Sequence, residues 1–148
     1  MGHSFTSFHS HLVWSTKERA PIIDERIQDR LYGYIGGIIR EKGGELLACG
    51  GVSDHIHLLL RMPSIIANAD FLRHIKANSS KFINKNFPCQ RFSWQEGYAG
   101  FAVSVLQLPR VKLYIKKQEE HHKKLSFQEE FVLLLKKHKI EFDAKYLF

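Results

Sequence analysis

The sequence predicts an α+β fold: a ferredoxin-like split βαβ sandwich, one antiparallel sheet with helices on one face, extended by C-terminal helices. Three observations carry this expectation. Strand-like and helix-like segments follow in the order β-α-β-β-α-β-β-α-α. Two segments repeat apolar residues at helical spacing, and each stands between segments of strand character. At 148 residues and 44 % apolar composition the chain can bury a core, and one domain is expected over residues 1–148.

The elements follow in order. Residues 4–16 (SFTSFHSHLVWST) alternate apolar, aromatic and β-branched positions and read as a strand. After Pro21, DERIQDRLYGYIGGIIREKGG places Ile27, Leu31, Ile35, Ile38 and Ile39 on one helical stripe. Asp24 is the expected N-cap and Gly43–Gly44 the stop. ELLACGGV and HIHLLLRM, joined through Ser53–Asp54, read as adjacent antiparallel strands. Residues 68–86 return to helical spacing through Phe71, Leu72, Ile75, Ser79, Phe82 and Ile83, and Pro88 ends that run. RFSWQ and FAVSVLQL are strand-like around a GYAG turn. Pro109 suits the first turn of a helix through VKLYIKKQEEHHKK. Ser126 and Glu129 form a capping box for SFQEEFVLLLKKH, and IEFDAKYLF is a short tail. If the last two helices reach away from the sheet, they would pack on a second subunit.

The net charge of +7 favours a polyanionic partner. Two cysteines, Cys49 and Cys89, without a CxxC are too few for a disulfide framework and poor candidates for zinc. No run is long enough to span a membrane and no signal-peptide layout opens the chain, so a cytoplasmic location is expected.

The chemistry starts at DHIHLLL, residues 54–60. On a strand, His55 and His57 project to one face while Ile56, Leu58 and Leu60 face the other. By the same parity Asp54 falls on the Ile56 side. A strand built only for a core has no need of paired imidazoles, which together can hold one ion. Two ligands bind a divalent ion weakly, so a third is expected. Tyr114 and Gln118 stand four apart on an expected helix and share a face. Gln118 offers a carbonyl oxygen, and Tyr114 sits one turn away as a nucleophile toward a metal-bound phosphate. His121 and His122 compete as ligands, but at a helix end they are expected to face solvent. Tyr98 competes as the nucleophile, in a turn where tyrosine is commonly structural. Each residue alone also has an ordinary structural reading, so the case rests on their conjunction.

The sequence resembles the insertion-sequence-200-like (IS200/IS605) family of single-strand transposases, HUH enzymes with one catalytic tyrosine. The resemblance runs over nearly the whole chain, through HLVWSTKERAPII, GGVSDHIHLLLRMP, IKANSSKFIN, FSWQEGYAGFAVS, YIKKQEEHHKK and FQEEFVLLLKKHKIEFDAKYLF. It implies that His55 and His57 bind Mg²⁺ or Mn²⁺, that Gln118 is the third ligand and that Tyr114 is the nucleophile. It further implies a homodimer in which the tyrosine helix of one subunit completes the other's site. The implied substrate is single-stranded DNA with hairpins at element ends, cut and rejoined through 5′-phosphotyrosine. Two local departures stand out: YAGF where the family usually has YGAF, and Pro109–Arg110 just before the tyrosine helix.

Single-stranded DNA is held by phosphate contacts and by stacking on aromatic rings. The polar face of the second helix, with Arg73, Lys76, Asn78, Ser80 and Lys81, is the first candidate surface, and Lys17 and Arg19 the next. Trp94 is a candidate platform that equally suits a core. The alternative function is a non-catalytic protein that holds hairpin DNA. A histidine-triad hydrolase is disfavoured because position 59 is Leu, and a two-histidine phosphoesterase because no second HxT or HxS occurs.

Overall fold

The computed structural model describes residues 2–88 and 91–147. Cys89 lies outside the described residues. The elements are β1 (His9–Ser15), α1 (Glu25–Glu41), β2 (Glu45–Val52), β3 (His55–Arg61), α2 (Asn68–Asn86), β4 (Ala99–Val103), α3 (Leu108–Lys116), α4 (Gln118–His121) and α5 (Phe127–Lys137). Among the described residues the sheet has four strands in the order β2-β3-β1-β4, every neighbouring pair antiparallel.

Local chemistry sets the element ends. The Asp24 carboxylate accepts from the N–H groups of Arg26 and Ile27, both at 3.0 Å, and caps α1. Gly43, at φ 91°, takes the chain out of that helix. The capping box of α5 is complete, with the Ser126 hydroxyl accepting from the Glu129 N–H and the Glu129 carboxylate accepting in return.

The sheet carries helices on both sides. Leu12, Trp14, Ile56, Leu58 and Leu60 pack against Ile27, Leu31, Ile35, Ile39, Phe71 and Ile75 of α1 and α2. On the other face, Val13, Ala99 and Phe101 pack against Phe127, Phe131, Leu134 and Leu135 of α5. The C-terminal helices therefore do not reach away; they cover the second face of their own sheet. A glycine permits this: a Cβ on Gly50 would stand 2.5 Å from the Ile115 carbonyl oxygen, so α3 lies directly on β2.

Four features differ from the sequence expectation. β1 starts at His9 rather than residue 4. RFSWQ is no strand; only Trp94 bridges, to Thr16. Its backbone is shared between the end of β1 and α2: the Lys17 N–H donates to the Ser93 carbonyl at 2.8 Å and the Gln95 N–H to the Ser15 carbonyl at 3.0 Å, while α2 side chains hold Phe92 and Gln95. Asn84 bonds both the N–H and the carbonyl of Phe92, at 2.7 and 2.8 Å, and Lys76 donates to the carbonyls of Gln95, Glu96 and Gly97 at 2.7–3.1 Å. FAVSVLQL turns helical after Val103, with a 3₁₀ turn at Val105–Gln107 and α3 from Leu108, where Pro109 fits the first turn. The single helix expected over residues 111–124 breaks at Lys117 into α3 and α4.

Candidate metal centre and tyrosine site

The site lies on the α5-covered face of the sheet. Strand alternation puts His55 and His57 of β3 on that face, together with His11 of β1. All three are buried. His57 stands opposite Val13 in the ladder, two residues from His11, so the two imidazoles meet on the diagonal at 2.8 Å, Nε2 of His11 to Nδ1 of His57. Asp54 turns toward the site rather than following parity, and its carboxylate accepts from Nδ1 of His55 at 2.7 Å. Both Nδ1 atoms are thus engaged from outside, and both Nε2 atoms point inward.

There they meet Glu130 of α5. Nε2 of His57 lies 2.9 Å from its Oε1, Nε2 of His122 3.1 Å and Nε2 of His55 3.5 Å. The other carboxylate oxygen accepts from the Tyr114 hydroxyl and, at 2.9 Å, from the Gln118 amide. The Gln118 carbonyl oxygen accepts from Nε2 of His55 at 3.1 Å and from Nε2 of His122 at 3.0 Å. The break at Lys117 does not part Tyr114 from Gln118, since both donate to the same oxygen.

His55, His57, His122 and Glu130 form a cluster able to hold a metal ion: one ligand atom from each lies within 4.8 Å of all the others. The donor set fits a divalent ion, three imidazole nitrogens and one carboxylate. Asp54 and His11 supply the outer hydrogen bonds that orient ligating imidazoles. The His11–His57 pair accepts either proton arrangement, because a neutral imidazole donates from one nitrogen and accepts at the other.

Two expectations are corrected. His122 does not face solvent; it follows Gln118 by one turn and so turns inward with it, leaving its side chain 9 % exposed. His121 is outside the cluster, its ring 4.8 Å from that of Tyr114. Sequence reasoning also missed Glu130 and His11. Glu130 was detectable, because it stands on the apolar stripe Phe127–Phe131–Leu134 of α5, where a carboxylate has no packing role.

The electrostatics follow from burial and pairing. Burial disfavours charge on Glu130, but the bonds from His122, His55 and His57 outweigh it and hold the carboxyl far below its usual range. Burial likewise opposes a charged His55, yet Asp54, Glu130 and Gln118 raise it to about 9. His57 is lowered, chiefly by burial. His11 is lowered to about 3 by burial and then by His57. The Tyr114 phenol is pushed up by burial and by the adjacent Glu130 charge, so it rests protonated.

The residues expected to touch DNA lie elsewhere. Arg73, Lys76 and Ser80 line a cleft of about 460 Å³ on the α2 side, together with Trp94 and Tyr98. Arg73 pairs with Asp70 at 2.6 Å, Ser80 bonds the Phe92 carbonyl, and Lys76 holds the three carbonyls already described. Asn78 turns back to His74 and Lys81 is exposed. Lys17 and Arg19 share a 3₁₀ turn, with Lys17 exposed and Arg19 half-buried. Trp94 is core, its indole N–H donating to Ser79 at 3.0 Å.

Comparison with known proteins bears on the fold and the family. The fold is similar to that of a candidate transposase from Deinococcus radiodurans, 26 % identical, covering 80 % of this chain and 96 % of that one, with a TM-score of 0.64. It is also similar in fold to a REP-associated tyrosine transposase bound to a REP hairpin, at 14 % identity and a TM-score of 0.61, covering 82 % of this chain and 72 % of that one. No curated protein matches the chain. Among the described residues no helix is long and apolar enough to cross a membrane. The family model for IS200-like transposases matches residues 4–118, a span that holds both strand histidines, Tyr114 and Gln118, and the chain belongs to that family.

Proposed function

We propose that this protein cleaves and rejoins single-stranded DNA at insertion-sequence ends through a 5′-phosphotyrosine on Tyr114. The observation that carries the reading is the meeting of Tyr114, Gln118 and both strand histidines around one buried carboxylate, within one chain. The β-α-β-β-α-β order and the strand order β2-β3-β1-β4 support a ferredoxin-like sandwich as the scaffold.

In cleavage, the Tyr114 oxygen bonds to phosphorus and the bond from phosphorus to the 3′ oxygen breaks. The departing strand ends in a 3′-hydroxyl and the 5′-phosphate stays on the protein. The phenolic proton leaves Tyr114 as the new bond forms and ends on the departing 3′ oxygen; Glu130, which accepts the phenolic hydrogen bond, positions the hydroxyl. Rejoining reverses the step with another 3′-hydroxyl, and the ester keeps the energy of the broken bond. His55 and His57 would hold Mg²⁺ or Mn²⁺ with Gln118 as third ligand, His122 and Glu130 being equally close. The ion, when bound, supplies charge neutralisation on the phosphate.

The α2-side cleft with Arg73, Lys76, Ser80 and Tyr98 is the proposed hairpin surface, with Asn78, Lys81, Lys17 and Arg19 as further phosphate contacts. The neighbour of similar fold that carries a REP hairpin supports hairpin DNA as the ligand class. A homodimer exchanging tyrosine helices, in a cytoplasmic setting, completes the proposal; the contact of Ile115 with Gly50 is the joint that must open for the exchange.

One observation favours the alternative of a non-catalytic hairpin-binding protein: Tyr114 is tied to Glu130, and the chain's own side chains fill the centre of the site. Incubation of hairpin-bearing single-stranded DNA with Mn²⁺ or Mg²⁺ decides between them. The enzyme leaves a covalent protein–DNA adduct that disappears in Tyr114→Phe. Tight binding with no adduct leaves the binding protein.

A further inference from the structure

A second cleft, of about 620 Å³, opens between α3 and α5 directly beside the tyrosine. Its walls include Tyr114, His11, Gln107, Arg110, Lys137 and His138. No carboxylate is among its lining residues. Arg110 and Lys137 are exposed, and neither takes part in an ion pair or hydrogen bond among the described contacts. Two cations from different helices thus flank one opening, which Tyr114 also lines. His11 and Tyr114 belong to this cleft and to the buried cluster at once, so a strand lying in the cleft reaches the phenol without crossing the sheet.

The α2-side cleft differs in both respects. Its cations are already engaged by Asp70 and by backbone carbonyls, and Glu96 is among its lining residues. Unpaired cations over an acid-free opening suit a continuous polyanion. The volume is in the range of sites that hold nucleotide-sized ligands.

We propose that the α3–α5 cleft seats the single strand flanking the scissile bond, with Arg110 and Lys137 as its phosphate ligands. The assignment rests on the proposed strand-cleavage reading. It adds a binding site that uses Arg110, in the first turn of α3, and Lys137, which lies beyond the family match. The same two side chains keep the strand beside Tyr114 after hairpin capture.

The test is fluorescence anisotropy of the whole protein with a short unstructured oligonucleotide in EDTA, titrated with salt. Arg110→Gln/Lys137→Gln is expected to weaken binding by about 10-fold or more and to lower the slope of log K against log salt by about 1.4, two phosphates at roughly 0.7 each. Arg40→Gln/Lys42→Gln, at the end of α1, removes the same charge and is expected to leave the slope unchanged. An unchanged slope in the cleft variant, an equal fall in the control, or no oligonucleotide binding by the wild type overturns the proposal. Adduct formation with Mn²⁺ is read separately. Wild-type binding that depends on the two cations, without any adduct, overturns the cleavage reading and leaves the cleft; an adduct with an unchanged slope does the reverse.

Discussion

The two faces of the sheet are built on opposite principles. Toward α1 and α2, β1 and β3 present Leu12, Trp14, Ile56, Leu58 and Leu60, all buried against isoleucine, leucine and phenylalanine. Toward α3, α4 and α5, the same two strands present His11, Val13, His55 and His57. The first face gains stability from apolar burial at about 25 cal/mol per Å². The second takes imidazoles and a carboxylate out of water, which is favourable only while every polar atom keeps its partner. A fold that needed only stability would repeat the first face. The second is therefore where function is to be sought, and damage there should be chemical as well as energetic.

The largest effect is expected at Glu130, which joins every member of the buried cluster. Glu130→Ala removes the carboxylate that His57 and His122 face, leaves protonated His55 with the Asp54 carboxylate alone, and frees the Tyr114 hydroxyl. Breaking one side of a buried ion pair costs about 3–5 kcal/mol. Urea denaturation without metal should show that loss, and Mn²⁺ affinity by calorimetry should fall with it. A variant as stable as the wild type would mean that α5 is held by its apolar stripe alone.

Next comes the opposite face. Leu58→Ala removes a fully buried side chain, and about 2–5 kcal/mol of stability should go with it. His57, its neighbour in sequence, points the other way, so Mn²⁺ affinity of the folded fraction should stay within about twofold. A collapse of metal binding in this variant would break the division between faces.

The division also governs what the sequence revealed. Alternation in HIHLLL was enough to separate the faces of β3, and helical spacing was enough to pair Tyr114 with Gln118, because both depend on neighbours along the chain. His11 depends on register between β1 and β3, which no local pattern encodes. Glu130 was marked locally, as a charge on an apolar stripe, but its partners come from β3, 73 residues away, as well as from nearby α3 and α4. RFSWQ has strand composition, yet it meets the end of β1 through one bridge only, and Asn84 of α2 takes the Phe92 backbone out of further pairing. The covering of the second face rests on Gly50, where the missing side chain matters only once α3 is in place.

A smaller effect should sharpen the contrast within the histidine face itself. His11→Phe keeps a ring against Phe101 but removes the bond to Nδ1 of His57. Loss of such an outer partner typically lowers metal affinity by about 10–100-fold. Mn²⁺ affinity should fall accordingly, while the far-ultraviolet dichroism stays that of the wild type. His11→Gln, which retains a polar end, should recover part of the loss. Equal affinities in all three proteins would show that His57 is oriented by its strand alone.

The smallest expected effect per step, and the one that tests both faces together, is the slope of stability with pH without metal. His11 has a folded pKa of about 3 against its ordinary 6.5, and His57 is shifted in the same direction. Between those values the unfolded chain binds the proton that folded His11 refuses, so its contribution is full above about pH 6.5 and is lost as pH falls toward 3. Glu130, depressed as a carboxylate, adds to the loss below its ordinary value of 4.5. His55 is raised to about 9, so its contribution is full below 6.5 and disappears as pH climbs through 9. Stability should therefore peak near pH 6.5 and fall on both sides. His11→Phe should flatten the acid limb between pH 6.5 and 4.5 by about one proton, roughly 1.4 kcal/mol per pH unit, and leave the alkaline limb alone. Leu58→Ala should lower the acid limb without changing its shape, since the titrating side chains Tyr32 and Cys49 packed against that core are both held protonated by burial. A His11→Phe curve that runs parallel to the wild type, or a Leu58→Ala curve that does not, would show that the two faces are not the separate systems their residues describe.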